Sequence, residues 1–142
     1  MKNYLLDTNI VSELRKLKPH GAVVAWVRSL HAEQLFISAV TMGELQAGVE
    51  KTRKNDLSKA GEIERWINQI SDFYQVLPMD TRCFREWAQL MSGRSNYLME
   101  DAMIAATARV HNLVVATRNE RDFQNLRVDL FNPFKISNVP KI

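Results

Sequence analysis

Tyr4-Leu5-Leu6-Asp7-Thr8-Asn9, followed by Ile10, Val11 and Leu14, is the stretch on which the reading of this 142-residue chain turns. Three apolar residues running into polar capping residues predict a short buried strand that leads directly into a helix. Asp7 then stands at the carboxyl end of that strand. Further apolar pieces at 35–39, 76–79, 113–117 and 128–131 read as strands, with helical patterns in the intervals between them. Strands that alternate with helices, and that lack a clean period-two alternation of their own, predict an α/β fold with a mostly parallel central sheet covered by helices. In such sheets ligands bind beyond the carboxyl ends of the strands, which is where Asp7 lies.

Pro19-His20-Gly21 separates the first helix from a second carrying Val23, Val24, Trp26, Val27 and Leu30, so the chain opens with a helical hairpin. Thr41 reads as the cap of a helix that continues to Lys51. Residues 57–74 place Ile63, Trp66, Ile67, Ile70 and Phe73 at three- and four-residue intervals, an amphipathic helix in which Trp66 belongs to the core or to an interface. Helices are also expected over 81–91 and 98–110. The second of these carries Ala102, Ala105, Ala106 and Ala108, small enough for a neighbour to approach closely, and His111-Asn112 supplies its C-terminal cap. Residues 132–142 contain two prolines and little periodicity, and read as a tail that lies on the domain or reaches a partner. No repeat or long linker interrupts the chain, so a single domain over 1–142 is expected.

The length suffices to bury a core without disulfides or a structural metal. The one cysteine, Cys83, excludes an intrachain disulfide, and neither C-x-x-C nor Cys/His zinc spacing occurs. No apolar segment approaches the length needed to span a bilayer, and a cytoplasmic location without membrane contact is expected. A net charge of +3 suits a polyanionic partner but does not by itself specify one. The loose basic groups at Arg15, Lys16 and Lys18, at Lys51, Arg53 and Lys54, and at Arg118, Arg121 and Arg127 read singly as solvated faces.

Asp7, Glu44 and Asp101 each stand where an apolar segment meets a turn or a helix start, and brought together they would make an acidic site for a hard divalent cation. Each also has an ordinary structural role. Asp7 can cap a helix. Thr41-Met42-Gly43-Glu44 has the form of a capping box, in which the carboxylate reaches back to a backbone N–H. Asp101 follows Glu100 near a helix start, where negative charge favours the positive end of the helix dipole.

The combination says more than its parts. Asp7-Thr8-Asn9 after a strand, Gly43-Glu44-Leu45 in an early helix, the run from Asp101 to Ala108 before a strand, and Thr117-Arg118-Asn119-Glu120-Arg121-Asp122-Phe123 after it resemble the PIN-domain family in residue type and in order. The resemblance covers nearly the whole chain and is nearest to the VapC-like and FitB-like ribonuclease toxins of bacterial toxin-antitoxin modules. It implies a parallel sheet covered by helices, with Asp7, Glu44 and Asp101 as acidic ligands around magnesium or manganese. For the fourth ligand, family members often have an acidic residue where Asn119 stands, while Asp122 follows three residues later, and both stay open. Tyr97-Leu98-Met99-Glu100 also departs from the proline-containing turn that many relatives have at that point.

The implied chemistry is divalent-metal-dependent hydrolysis of RNA phosphodiester bonds, with Asp7 and Asp101 as ligands and Glu44 orienting or deprotonating the attacking water. Thr8, Ser38 and Thr117 lie where they can hydrogen-bond the carboxylates or the phosphate. Arg118 and Arg121 are the candidate phosphate contacts. The resemblance further implies a homodimer and a cognate antitoxin that covers the acidic site, to which a partner's arginine would be electrostatically suited. Two other readings compete. A phosphatase with an aspartate nucleophile wants a second aspartate two residues after the first, where this chain has Asn9. A non-catalytic nucleic-acid-binding module with the same fold would use the carboxylates only as caps.

Overall fold

The structure is a computed structural model and describes residues 1–135. The first strand, β1 (Tyr4–Leu6), passes through Asp7 into α1 (Thr8–Arg15), and α2 (Gly21–Arg28) folds back on it. Glu13 locks this hairpin. It is buried at 6% exposure on α1, and accepts hydrogen bonds from Lys16 Nζ at 2.8 Å and from the backbone N–H of His20 at 2.9 Å, so that one carboxylate ties the end of α1 to the start of α2.

β2 (Leu35–Ser38) leads straight into α3 (Ala39–Arg53), which pairs with α4 (Leu57–Phe73) before β3 (Gln75–Leu77). Next come α5 (Thr81–Met91), α6 (Met99–His111), β4 (Val114–Ala116), the short α7 (Glu120–Phe123) and β5 (Leu130–Phe131). The helix starts follow capping chemistry: Ser38, Asp56 and Asp80 accept from the backbone N–H of Val40, Lys59 and Cys83 respectively. Asn112 ends α6 in the left-handed region at φ 57°, the conformation that asparagine tolerates best after glycine.

The five strands are all parallel in the order β3-β2-β1-β4-β5. The chain winds outward from β1 through β2 to β3, then returns to β1's other side for β4 and β5. This reversal makes β1 the topological switch point, and a crevice opens beyond its carboxyl end. Register places Leu6 opposite both Ile37 and Ala116, so the residues just past β1, β2 and β4 converge there.

Alternation along the strands feeds two cores. Leu5 and Val115 face a cluster with Ile104, Ala105, Leu90 and Phe123, under α5 and α6. Leu6, Ile37 and Ala116 face the opposite cluster with Ile10, Val11, Val23 and Trp26, under α1 and α2. With both faces covered, every strand residue wants to be apolar, which is why the sequence shows runs rather than alternation. Tyr4, Trp26 and Phe131 stack with centroid separations of 5.0 to 5.8 Å and join α2 to both β1 and β5. Ala102, Ala105, Ala106 and Ala108 are fully buried, so α6 sits close against its neighbours, as its small residues predict.

The expected elements are present, with ends displaced by one or two residues, save that α3 begins earlier. Ser38 caps α3, so Thr41 lies inside the helix and the anticipated Thr41–Glu44 capping box does not form. Within the segment expected to be a tail, Asn132 is buried and Pro133–Lys135 form a 3-10 turn that packs on α2, while residues 136–142 lie outside the described part of the chain. Among the described residues no helix is long and apolar enough to cross a membrane.

Close packing around α6 gives a direct test. Ala106→Leu should cost about 1–3 kcal/mol through overpacking, whereas Ala47→Leu, at an exposed position of α3, should be nearly neutral. Urea unfolding midpoints compare them, and equal midpoints would contradict the close approach.

Candidate active site

Asp7 is the hub of the crevice beyond β1. It is 5% exposed, and its extended backbone (φ −66°, ψ 158°) lets Oδ1 accept the N–H of Thr8 at 2.8 Å as the cap of α1. Its other oxygen, Oδ2, accepts from Asn9 Nδ2 and from Thr117 Oγ1, each at 2.8 Å. The backbone N–H of Asp7 donates to the carbonyl of Ala116 at 2.9 Å, extending the β1–β4 ladder one step past the strand. Capping and site formation are therefore the same geometry, since the cap is what fixes the carboxylate's rotamer.

The neighbours of Asp7 carry this order outward. Thr8 Oγ1 donates to Glu44 Oε1 at 2.8 Å and lies 3.0 Å from Thr41 Oγ1, which joins α1 to α3. Asn9 Oδ1 accepts the N–H of Arg118 at 3.1 Å, and Thr117 Oγ1 accepts the N–H of Asn119 at 2.9 Å, which joins α1 to the loop after β4. Thr8 and Thr117 thus bond to carboxylates as anticipated, whereas the hydroxyl of Ser38 is taken up in capping α3 at 3.1 Å from Val40 N. Asn9 and Thr41 are further members of the network. Asn9 was visible inside the Asp7-Thr8-Asn9 motif, but its second bond depends on a loop more than a hundred residues away, which local sequence does not reveal.

Asp101 lies in the first turn of α6, half-buried, and it completes the acidic group. Its carboxyl is pushed up to about 7, first by burial and then by the negative charges of Asp7, Asp122, Glu44 and Glu100. Burial likewise raises Asp7, against the opposing hydrogen bonds from Thr117, Thr8 and Asn9, with Asp122 adding to the rise. Glu44 is raised by burial against the bond from Thr8, with Glu100 and Asp7 adding to the rise. Among the described residues no lysine or arginine forms an ion pair with any of these acids.

Asp122, on α7, is exposed but within electrostatic reach of both Asp7 and Asp101. Asn119 is exposed and caps α7 without a side-chain bond, while its backbone N–H is held by Thr117. Arg121 and Arg118 line a surface groove together with Asn119, Asp122 and Lys135. The Arg118 guanidinium stacks on Phe134, 4.6 Å from the ring centroid, and Phe134 also packs on the ring of His20 at 5.0 Å. The aromatic half of this contact falls in the segment whose aperiodicity marked it as tail, so nothing local pointed to it.

Chemically, this is a set of oxygen donors converging from α1, α3, α6 and α7 with uncompensated negative charge. Among the described residues no three His, Cys, Asp or Glu side chains stand close enough together to hold a metal ion between them. An open rim of carboxylates, without thiolate or imidazole, suits a hard cation that retains several waters.

A profile of the PIN domain matches residues 4–128. The chain is 38% identical over 136 residues to Toxin FitB of Neisseria gonorrhoeae, an alignment that spans 92% of this chain and 97% of that protein. It is 35% identical over 143 residues to VapC ribonuclease Y4jK of Sinorhizobium fredii, again across 92% and 97%. The crystal structure of FitAcB from Neisseria gonorrhoeae matches the fold with a TM-score of 0.81 at 36% identity, covering 94% of this chain and 99% of that one. A domain profile over most of the length, and toxins aligned almost end to end, agree with the crevice and its acidic rim: the chain belongs to the PIN-domain family, among the VapC- and FitB-like ribonuclease toxins of type II toxin-antitoxin systems.

Proposed function

We propose that the chain, acting as one domain over residues 1–142, is a divalent-metal-dependent endoribonuclease that hydrolyses RNA phosphodiester bonds at the rim formed by Asp7, Glu44 and Asp101. The observation that carries this reading is the Asp101 carboxyl, pushed up to about 7 among four other acids with no ion-paired cation among the described residues. Crowding of this kind costs stability and needs positive charge to relieve it. Magnesium or manganese supplies that charge when bound, polarising a phosphate oxygen and making water acidic enough to attack at neutral pH.

The chain's own groups take distinct parts. Asp7 is held immobile by Thr8, Asn9 and Thr117, so it binds metal with little rearrangement. Asp101 faces it from α6 as the second ligand. Glu44, held by Thr8 and with its proton affinity raised, orients the attacking water and takes its proton. Of the two candidates for the fourth position, Asp122 brings charge to the cluster, while Asn119 contributes a neutral carbonyl at most. Arg121 and Arg118, on the adjoining groove, offer contacts for the RNA backbone.

A cognate antitoxin neutralises such a site most simply by inserting a guanidinium among the three carboxylates. Tyr97 and Met99, exposed at the start of α6, and Phe84, exposed on α5, support the expectation of a homodimer. Action on cellular RNA implies the cytoplasm.

Mixed cellular RNA incubated with purified, partner-free protein should be cut in magnesium or manganese and not in chelator. Asp7→Asn and Asp101→Asn should abolish cutting, Glu44→Gln should slow it by about 10²–10⁴-fold, and Thr117→Val by about 10–100-fold. Cutting that all four variants share with the wild type would mark a contaminant, and binding without cutting would favour the non-catalytic module.

The same charges set a pH dependence. Asp101 titrates near 7 when folded but near 4 when unfolded. Between these values the folded state holds the extra proton, so stability falls as pH rises. Metal-free protein should therefore lose thermal stability from about pH 4 to about pH 7, and Asp101→Asn or added manganese should flatten the slope. A metal-free melting temperature that rises across this range would contradict the crowding.

A further inference from the structure

At the end of the sheet opposite the carboxylates, a second polar groove lies where the last turn of α6 meets the start of α5 and the residues entering β5. Arg82, Arg85, Arg109 and Arg127 line it, and its acidic residues are Glu86 and Asp129. Glu86 is engaged by Arg109 at 2.5 Å, and Arg109 also donates to the carbonyl of Arg127, so this pair builds the wall. Arg82, Arg85 and Arg127 make no ion pair among the described residues. Arg82 and Arg85 stand three residues apart on α5, hence on one helix face.

Arg127 supplies a second observation. Its φ of 53° puts a non-glycine residue in the left-handed region, where glycine or asparagine would be at ease. A long cationic side chain stands at a backbone position that disfavours one, and the groove it lines holds two other guanidiniums without ion pairs among the described residues. Residues held in sparsely populated backbone regions cluster at functional sites.

We propose that this groove binds backbone phosphates of the RNA substrate away from the scissile bond, which rests on the ribonuclease reading above. Planar guanidinium forks match phosphate oxygens, and an open groove edged by them suits a polyanion running past. Helix α6 connects the two places. Asp101 and Arg109 are eight residues apart, about 12 Å along the axis, roughly the rise of three or four stacked nucleotides. A structured RNA cut at the carboxylates therefore extends within reach of the arginines, and the groove selects for length and fold around the cleavage point rather than for the bond cut.

Two variants test this without disturbing the wall: Arg82→Ala/Arg85→Ala, and Arg127→Gly, which removes the side chain, relieves the positive φ and keeps the carbonyl that Arg109 uses. Binding of a fluorescent structured RNA is measured in chelator by anisotropy at several salt concentrations, and cleavage kinetics are measured with magnesium on that RNA and on a short single-stranded oligonucleotide. Both variants should bind the structured RNA about tenfold more weakly, with a salt slope lower by roughly one for each phosphate that is no longer neutralised. KM should rise for the structured RNA with kcat unchanged, the short oligonucleotide should be unaffected, and Arg127→Gly should melt no lower than the wild type. Unchanged affinity and salt slope in variants of an active enzyme would overturn the groove assignment alone. A wild type that neither cuts nor binds RNA would overturn the ribonuclease reading and the groove with it.

Discussion

A buried carboxylate with three neutral donors and, among the described residues, no counter-cation occupies the point where this sheet reverses its strand order. Much of the local architecture depends on Asp7. Its backbone extends the β1–β4 ladder, its side chain caps α1, and the two residues that follow it bridge to α3 and to the loop after β4. Burial of a charge is costly unless hydrogen bonds compensate, and here the compensation comes from the start of α1 and from Thr117, which the β1–β4 register sets beside Asp7. Strand topology thus delivers the crevice, and the hydrogen bonds of one aspartate give the crevice a fixed shape.

What the hydrogen bonds do not supply is positive charge. Asp7, Glu44, Asp101 and Asp122 repel one another from separate elements, and the strain concentrates on Asp101, which is half-buried and, among the described residues, receives no compensating hydrogen bond. The two apolar clusters hold these elements in place regardless, so the metal-free protein carries a destabilised rim on a well-packed base. In the proposed mechanism that rim is the affinity for the cation: the repulsion that weakens the folded state is relieved when charge is neutralised, whether by metal during turnover or by an antitoxin's side chain during storage.

Much of this was legible in the sequence, because strand ends in a parallel sheet are functional by position. The apolar run ending in Asp7, the polar residues behind it and the alanine-rich helix with Asp101 in its first turn needed only local pattern. Glu44 was harder. Thr41-Met42-Gly43-Glu44 fits a capping box by composition, and what decides against it is that Ser38, three residues earlier, takes the cap, leaving Glu44 to face Thr8 across 36 positions of sequence. The same limit hid the stacking of Arg118 on Phe134 and the second role of Asn9, because each needs two distant segments placed first. The groove at the far end of the sheet was hidden for another reason: Arg82, Arg85, Arg109 and Arg127 come from three segments, and only Arg127 stood in a group that sequence spacing could pick out.

The central claim, that the carboxylate rim exists to hold a divalent cation, is tested most directly by calorimetric titration of manganese into the metal-free protein near neutral pH, repeated in buffers of differing ionisation enthalpy. The account predicts saturable binding accompanied by proton release, because Asp101 titrates close to 7 and must lose its proton to become a ligand. The release should shrink at higher pH and disappear in Asp101→Asn. Absence of binding, or binding of the same strength and proton count in Asp7→Asn and Asp101→Asn, would contradict the account.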